Sequence, residues 1–424
     1  MLDVEQISKK PLIYLINLSQ KTERVYFDIF YRRGHIFDPP ALKGATHILE
    51  HYLIGCLTKN TGFSSPQIGG TVSNEFANFY MASDKSQLAP HLKKFLEGIF
   101  KADLSKQELF KSELKVIENE LAEKENDIEQ QIFNAISKNL FLKNCPYNVT
   151  GIDKIECLKN FNFNKIRRFY NEAFIVSEPM FIFGAYKLNK KLINEAEKII
   201  RDYLPTSLKS IDYLKFPKCV LPPFCIKEII NPRLKEGVYL VFLFPGFSIQ
   251  DADMALRIGL NIVSKIIVGD TPLSLVTKTR REGIYKVDYE NLMGQHTGTA
   301  SFASFVNQGQ LLTLIRIIKE HLDELKSQLI NEKYLNKIIS EKKEKQRLVW
   351  RDNIQKYNWI VDDLKNLQPI SDINYYMKTL KAITPEFLRS IINNVFDWRK
   401  LNLFLIHNQK ISINKEEIKK IITS

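Results

Sequence analysis

The sequence predicts an α+β protein that consists of two domains of similar fold. Two observations support this prediction: the chain has 424 residues, which is too many for one ordinary core, and one helix–strand unit occurs in it twice. The composition, with 44% hydrophobic and 26% charged residues, is typical of a globular protein.

The repeated unit is found at residues 165–174 and 387–396. At a constant offset of 222 residues, the two segments share an Arg, an Asn and a Phe, and residues 181–183 then fall without a gap on the equally apolar residues 403–405. Each copy predicts an amphipathic helix, a short turn and a buried strand. A weaker similarity joins the predicted strands at 25–31 and 238–244, each of which a glycine follows within a few residues.

A proline-rich stretch indicates the boundary between the domains. Four prolines lie between residues 204 and 230: Pro205, Pro217, Pro222 and Pro223. Proline removes a backbone donor and fixes φ, which favours an extended connector. We therefore predict an N-terminal domain at 1–204, a linker at 205–230 and a C-terminal domain at 231–424.

Charge, cysteines and hydropathy exclude several classes of protein. The net charge is +13, but the basic residues are mixed with acids along the chain, so we expect no dedicated nucleic-acid binding. The five cysteines form no C-x-x-C pair and are predicted to be free thiols in a reducing compartment. The most apolar stretch, 238–244, is too short to cross a membrane, and no targeting segment is evident, so we predict a cytoplasmic protein.

The strongest chemical signal is an H-x-x-E-H pattern. His47 and His51 are four residues apart on a predicted helix, so both imidazoles project from one face and can bind zinc. Glu50 lies beside them and can take a proton from a water molecule at the metal. The five other histidines have no partner at ligand spacing and are interpreted as surface or core residues: His35, His91, His296, His321 and His407.

Zinc needs a third protein ligand, which we expect from the acidic helix around residue 120. Glu113 and Glu120 are seven residues apart, two turns along one face. The apolar stripe predicted beside them consists of Val116, Ile117 and Leu121. A carboxylate beside such a stripe can be buried against a metal, so Glu120 is the predicted ligand and Glu113 the predicted supporting group.

These residues resemble the insulinase/pitrilysin metallopeptidases, or inverzincins, in the short two-domain form that includes bacterial homologues of the mitochondrial processing peptidase. The similarity rests on the inverted zinc motif at 44–51, the Gly-Gly hairpin at 69–74 and the two glutamates seven residues apart. It implies two homologous domains, each an antiparallel β-sheet packed with α-helices, that form half of a clamshell. It also implies that the substrate pairs with a strand at 69–76, with Asn74 as a backbone contact.

The resemblance implies a second half-site as well, where an Arg and a Tyr seven residues apart hold the substrate carbonyl. Here Lys278 and Tyr285 have that spacing, while Arg281 is close by but out of step, so the candidates for substrate binding are Tyr285 and Arg281. Short members of the family usually work as homodimers or heterodimers of related subunits.

The predicted function is a zinc-dependent endopeptidase that hydrolyses unfolded peptides or a peptide precursor inside a closed chamber. Two alternatives remain open: a non-catalytic peptide-binding or assembly subunit, and the metal-bearing half of a heterodimeric processing peptidase. A nucleic-acid-binding protein is the third and weakest hypothesis.

Overall fold

The computed structural model describes residues 3–61, 68–141, 145–148, 151–209, 219, 221–234, 236–269, 274–370, 372–409 and 412–424, apart from the side chains of residues 59–61 and 152. The described strands are β1 (Val4–Lys9), β2 (Leu12–Asn17), β3 (Arg24–Tyr31), β4 (Ile68–Val72), β5 (Ala77–Asp84), β6 (Pro179–Ala185), β7 (Cys225–Ile230), β8 (Val238–Pro245), β9 (Asp288–Met293), β10 (Gly298–Val306) and β11 (Asn402–His407). The described helices are α1 (Ala45–Thr61), α2 (Leu88–Phe100), α3 (Gln107–Asn126), α4 (Ile128–Leu140), α5 (Gly151–Leu158), α6 (Phe163–Phe169), α7 (Lys190–Tyr203), α8 (Met254–Val268), α9 (Leu275–Arg281), α10 (Leu311–Ser327), α11 (Glu332–Arg351), α12 (Asn353–Lys365), α13 (Ile373–Lys381), α14 (Pro385–Val395) and α15 (Lys415–Thr423).

The strands form two sheets with matching topology. The first sheet has the order β1-β2-β6-β3-β5-β4, and the second has the order β7-β11-β8-β10-β9. If β1 is left out, each strand of the first sheet has a counterpart at the same position in the second sheet. Each sheet is antiparallel except for one parallel pair, β2 with β6 and β7 with β11. The predicted fold class, two homologous domains that each combine an antiparallel-rich sheet with helices, is confirmed.

After the β4–β5 and β9–β10 hairpins, the described helices follow the same order in both repeats. Pairs with the same place in the sequence are α2 and α10, α3 and α11, α4 and α12, α5 and α13, α6 and α14, and α7 and α15. The third helices, α3 and α11, both have 20 residues, and α4 and α12 both have 13. The repeat at offset 222 thus falls on α6–β6 and α14–β11.

The chain forms two compact units, and each unit includes one helix from the other repeat. Unit 1 comprises residues 1–127, 149–215 and 347–372, and unit 2 comprises residues 128–148, 216–346 and 373–424. Unit 1 therefore includes α12, and unit 2 includes α4. The apolar face of α12, with Tyr357, Ile360 and Val361, packs on Phe30 and Ile182 of the first sheet. The sequence prediction of continuous domains at 1–204 and 231–424 does not contain this exchange, because it depends on contacts between residues far apart in the chain.

Part of the predicted linker belongs to the second sheet. Cys225–Ile230 is strand β7, which pairs in parallel with β11. Residues 210–218 and 220 of the predicted linker lie outside the described residues.

The side chains of strand β3 alternate between the two faces of the first sheet. Val25, Phe27 and Ile29 are fully buried against the helices of one face. The alternate residues, Asp28 and Phe30, point to the other face, because successive strand side chains point to opposite sides. The face that bears Phe27 is called the helical face below, and the face that bears Asp28 is called the far face.

The cysteines differ from the prediction. Cys145 and Cys219 form a disulfide with a Cα–Cα distance of 5.7 Å, within unit 2. The prediction of free thiols is therefore wrong for these two and right for Cys56, Cys157 and Cys225. Spacing alone could not pair residues separated by 74 positions. Because disulfides persist mainly in oxidising compartments, the cysteines no longer support the predicted cytoplasmic location, which stays a prediction.

A membrane-spanning helix is not found among the described residues, since none of their helices combines the necessary length with the necessary hydrophobicity.

Candidate metal centre

Asp38 caps the start of α1, which lies just before the predicted ligands. One oxygen of the Asp38 carboxylate accepts hydrogen bonds from the Thr46 backbone N–H at 3.1 Å and the Thr46 hydroxyl at 2.5 Å, and the other accepts one from the Gly44 N–H at 2.9 Å. Gly44 has a φ of 95°, in the left-handed region that favours glycine. This cap satisfies backbone donors that the helix leaves without a partner, and it sets the phase of the helix before His47.

The H-x-x-E-H residues lie together on α1 as predicted from their spacing. The ring centroids of His47 and His51 are 4.7 Å apart. One ligand atom from each of His47, Glu50 and His51 lies within 4.8 Å of the other two. Glu50 is buried and both imidazoles are partly buried, so the cluster is partly shielded from solvent.

Helix α3 brings its two predicted carboxylates to this cluster. Oε2 of Glu120 lies 3.6 Å from Nε2 of His47 and 3.5 Å from Nε2 of His51. Oε2 of Glu113 lies 3.6 Å from Nδ1 of His51, the other nitrogen of that ring. His51 thus has Glu113 beside its Nδ1 and Glu120 beside its Nε2, with Glu50 also near Nε2.

The close packing of α3 on α1 depends on small and apolar residues. A side chain at Gly55 of α1 would come within 3.2 Å of Glu113, so glycine allows the approach. Ile117 and Leu121 are buried as predicted, but Val116 is 49% exposed, so the predicted apolar stripe is wrong at that position. Val116 precedes Ile117 by one residue and is therefore turned about 100° away from it around the helix.

The donor set fits a zinc ion. Zinc–nitrogen and zinc–oxygen bonds of about 2.0–2.1 Å in a tetrahedron place ligand atoms roughly 3.3 Å apart. The two distances from Glu120 to the imidazoles, 3.6 and 3.5 Å, are near this value. Glu50 is somewhat farther, with Oε2 3.8 Å from Nε2 of His51. Two imidazoles and one carboxylate are also an established zinc ligand set, with a fourth position left for water.

Electrostatics support the protonation states that a metal site needs. Burial, with a further contribution from the adjacent His51, lowers the pKa of His47 to about 3, so this imidazole is neutral at pH 7. Burial raises the pKa of Glu50 to about 7, with the Glu120 and Glu113 carboxylates adding to the shift. Burial also acts to raise the pKa of Glu120, but hydrogen bonding and nearby positive charge outweigh it and hold the pKa below its usual value. A neutral imidazole and an ionised carboxylate are the forms that bind metal.

Three further residues near the centre were not found from the sequence. Nζ of Lys124 donates to Oε1 of Glu120 at 2.5 Å, which leaves Oε2 facing the imidazoles. The ring of His35, which the sequence predicts to be a surface or core histidine, lies 6.0 Å from that of His47. Burial lowers the pKa of Lys154 to about 8, although nearby Asp38 acts to raise it. Only the i, i+4 spacing of Glu120 and Lys124 could have indicated one of these contacts from the sequence.

Strand β4 passes directly beside Glu50. A Cβ at Gly70 would lie 2.4 Å from Oε1 of Glu50, so glycine permits this approach without a shift of the Glu50 side chain. β4 is the edge strand of its sheet, and in the described part of the chain no strand pairs with its outer side. The predicted strand at 69–76 ends earlier, at Val72, because Asn74 lies in the turn to β5. The carbonyl of Asn74 accepts a hydrogen bond from the Ile36 N–H at 2.9 Å.

The predicted second half-site lies in unit 2. Tyr285 is 82% exposed, and the guanidinium of Arg280 lies 5.9 Å from the centre of its ring. Arg281 is exposed at the end of α9. Lys278 forms an ion pair with Glu324 of α10. The structure therefore brings Tyr285 together with Arg280, and the substrate roles of Tyr285 and Arg281 remain predictions.

Sequence comparisons give no relative for this chain. No protein-family model matches it, and no curated protein matches it significantly.

Solved structures, in contrast, match over nearly the whole chain. A protease from Helicobacter pylori has a TM-score of 0.76 at 15% identity and covers 95% of this chain and 99% of its own. A peptidase M16 inactive domain from Pseudomonas fluorescens has a TM-score of 0.79 at 14% identity, with coverages of 97% and 100%. The ferredoxin protease FusC in complex with Arabidopsis ferredoxin has a TM-score of 0.78 at 14% identity, and this chain spans 49% of its length. This chain therefore shares its fold with two chains described as proteases and with one described as a peptidase M16 inactive domain.

Proposed function

We propose that this chain is a zinc-dependent peptidase that hydrolyses unfolded peptides or a peptide precursor. One observation carries the proposal: two imidazoles and two carboxylates from α1 and α3 converge beside an edge strand that can bind a peptide backbone. The fold shared with proteases agrees with it.

The roles of the residues follow from their positions. His47, His51 and Glu120 are the proposed zinc ligands, since each presents a donor atom to the same small region. Glu113 faces the second ring nitrogen of His51 and is the proposed orienting group, because a carboxylate at that nitrogen fixes the tautomer and the ring of a ligand histidine.

Glu50 is the proposed general base and acid. Zinc at this centre would polarise the scissile carbonyl and lower the pKa of the attacking water. The carboxylate of Glu50 would take a proton from that water and pass it to the leaving amine. Its burial beside Gly70 of β4 places it next to any peptide that pairs with the edge of the strand.

The proposed peptide-binding element is the outer edge of β4. An extended peptide can add to such an edge through backbone hydrogen bonds. Asn74 lies in the turn at the end of this strand and is proposed to contact the backbone of the peptide there. Tyr285 and Arg281 are proposed to hold the substrate carbonyl, and a second subunit, identical or related, would be the partner in a dimer.

A second candidate function has one specific observation in its favour. One chain of the same fold is described as a peptidase M16 inactive domain, so this fold also serves chains without activity. A non-catalytic peptide-binding subunit would need no zinc ligands, whereas this chain has His47, His51, Glu120 and Glu50 together.

The test combines metal content with peptide hydrolysis. Zinc would be measured by elemental analysis, and hydrolysis with a library of quenched fluorescent peptides, for the wild type and Glu50→Gln. We expect near-stoichiometric zinc in both proteins and a loss of about 10²–10⁴-fold in activity in the variant, since that is the usual contribution of a general base.

Glu118→Gln is the matched control, because Glu118 is an exposed carboxylate on α3 that faces away from the centre. It should keep both zinc and activity. Normal hydrolysis by zinc-loaded Glu50→Gln would contradict the proposed mechanism. Zinc without hydrolysis in the wild type would favour the heterodimer in which a partner completes the site, and a protein without zinc would favour the non-catalytic subunit.

A further inference from the structure

A cavity lies on the far face of the first sheet, whereas the candidate metal centre adjoins the helical face. Its volume is about 500 Å³, which is within the usual range for ligand sites. The floor is formed by β3, β5 and β4, and one wall is formed by α12. All of these elements belong to unit 1. We call this cavity the far-face groove, and the function proposed above does not use it.

The floor of the far-face groove contains a buried carboxylate, Asp28. Its two oxygens accept hydrogen bonds from the Asn78 amide at 3.1 Å and the Tyr357 hydroxyl at 2.5 Å. Asp28 is 7% exposed, and burial raises its pKa to about 6. Among the described residues, no Lys, Arg or His side chain forms an ion pair with it. Burial of a carboxylate without a countercharge is costly, so a cation that entered the groove would be stabilised there.

Aromatic rings line the same groove. Tyr26 and Tyr80 line the groove, and the ring of Tyr26 lies 5.7 Å from that of Tyr357. Tyr80 lies across Gly69 of β4, where a side chain would come within 2.2 Å of its hydroxyl. Tyrosine faces attract ammonium and guanidinium groups, most strongly where water is excluded.

The remaining charged residues of the groove compensate one another. Asp362 and Lys365 lie on α12 at its rim and form an ion pair. Their charges therefore cancel approximately, and among the described residues that line the groove, Asp28 is the carboxylate without an ion-pair partner.

We propose that the far-face groove binds a cationic group on an aliphatic stem, such as a lysine or arginine side chain, with Asp28 as the counter-ion and Tyr26 and Tyr80 as its aromatic walls. The stem would contact the apolar residues that also line the groove, Ile354 and Val361.

Distance separates this site from a peptide that pairs with the edge of β4. Strands in a sheet are about 4.8 Å apart, so a peptide at that edge would be three spacings, roughly 14 Å, from β3. This is beyond the reach of a lysine side chain to Asp28. The far-face groove is therefore a separate site, and it does not depend on the proposed peptidase activity.

The test is a calorimetric titration of the purified chain with three small probes: blocked Ala-Lys-Ala, its isostere blocked Ala-norleucine-Ala, and butylamine. We expect the lysine peptide to bind at least tenfold more tightly than the norleucine peptide. Asp28→Asn should weaken lysine binding at least tenfold. Asp84→Asn, which alters an exposed carboxylate of β5 outside the groove, should leave it unchanged.

The pH dependence provides a test on the wild type that does not require a variant to fold. With a pKa of about 6 for Asp28, the ionised fraction falls about tenfold from pH 8 to pH 5, and lysine binding should weaken by a similar factor. Butylamine that binds as tightly as the lysine peptide would identify free amines as ligands of the same site. Equal binding of the lysine and norleucine peptides, or binding that survives Asp28→Asn, would overturn the proposal.

Discussion

Helices α1 and α8 hold the same place in the two repeats but have different chemistry. Each follows the central strand of its sheet, β3 or β8, and precedes the hairpin that forms the sheet edge. The H-x-x-E-H motif is on α1. Counted from the first residue of each helix, α8 has apolar residues or glycine at the three motif positions: Leu256, Gly259 and Leu260.

The next pair of helices differs in the same way. Counted from the start of each helix, Ile338 and Lys345 of α11 stand where α3 has Glu113 and Glu120. Ile338 is buried, so this position of α11 contributes to a core and not to a polar cluster.

The comparison shows that the fold and the candidate chemistry depend on different residues. Apart from β1, both sheets are built in the same strand order from buried apolar positions, whereas among the described residues the His/Glu cluster is found in unit 1 alone. The cluster has a cost in stability, because burial disfavours the charged forms of His47 and Glu50 and shifts their pKa values in opposite directions. A bound metal would offset this cost in unit 1 alone.

Removal of zinc should therefore affect the stability of unit 1 more than that of unit 2. At a free zinc concentration about a thousandfold above Kd, binding should stabilise the folded state by about 4 kcal/mol. Chelation should reverse this and increase amide hydrogen exchange in α1 and α3, while α8 and α11 change less. Exchange measured by mass spectrometry with and without a chelator checks this expectation. An equal change in all four helices would mean that the metal does not act through the α1–α3 cluster.

A second comparison concerns the far face of the first sheet, where the carboxylate of Asp28 is buried. Its pKa in the folded protein, about 6, is above the ordinary value of 3.8. The folded state therefore holds a proton more firmly than the unfolded state, and the stability that this contributes is lost as pH rises from about 4 to above 6. The shift corresponds to about 3 kcal/mol.

Urea unfolding of the wild type and Asp28→Asn at several pH values tests this prediction. The variant should become more stable relative to the wild type as pH rises, because Asn carries no charge to bury. Asp84→Asn is the control, since Asp84 is exposed and near Arg24. A difference between wild type and Asp28→Asn that does not vary with pH would be inconsistent with a buried ionisable carboxylate.

The sequence was informative where local periodicity determines the geometry. The i, i+4 spacing of His47 and His51 and the seven-residue spacing of Glu113 and Glu120 each define one face of one helix, so the predicted clusters form as expected. The repeat likewise predicted the shared order of the sheets, because buried strands and amphipathic helices leave a clear apolar pattern.

Other features depend on contacts that no local pattern contains. The Tyr357 hydroxyl donates a hydrogen bond to Asp28, which is 329 positions away in the sequence. Neither the far-face groove nor the assignment of α4 and α12 to the other unit therefore follows from periodicity. The predicted strand through Asn74 ended too late because register with β5 determines where β4 stops. The Asp38 cap was missed for a related reason: its carboxylate reaches α1 across an intervening turn.

The smallest expected effect concerns the caps of the two equivalent helices. Asp38 caps α1, and Asp253 caps α8 by accepting a hydrogen bond from the Leu256 N–H at 2.8 Å. Loss of a cap usually costs about 1 kcal/mol and up to about 2 kcal/mol. Asp253→Ala should lie near the lower value, and Asp38→Ala near the upper one, since Asp38 is buried and accepts three hydrogen bonds.

Zinc affinity distinguishes the two caps more clearly than stability does. Asp38 caps the start of α1 just before His47, so Asp38→Ala should weaken zinc binding, whereas Asp253→Ala should leave it unchanged. Urea unfolding of the zinc-free proteins and zinc titration against a fluorescent chelator measure the two quantities separately. If both substitutions weakened zinc binding equally, the effect would come from global stability. If only Asp38→Ala did so, the position of α1 itself would be what the candidate metal centre requires.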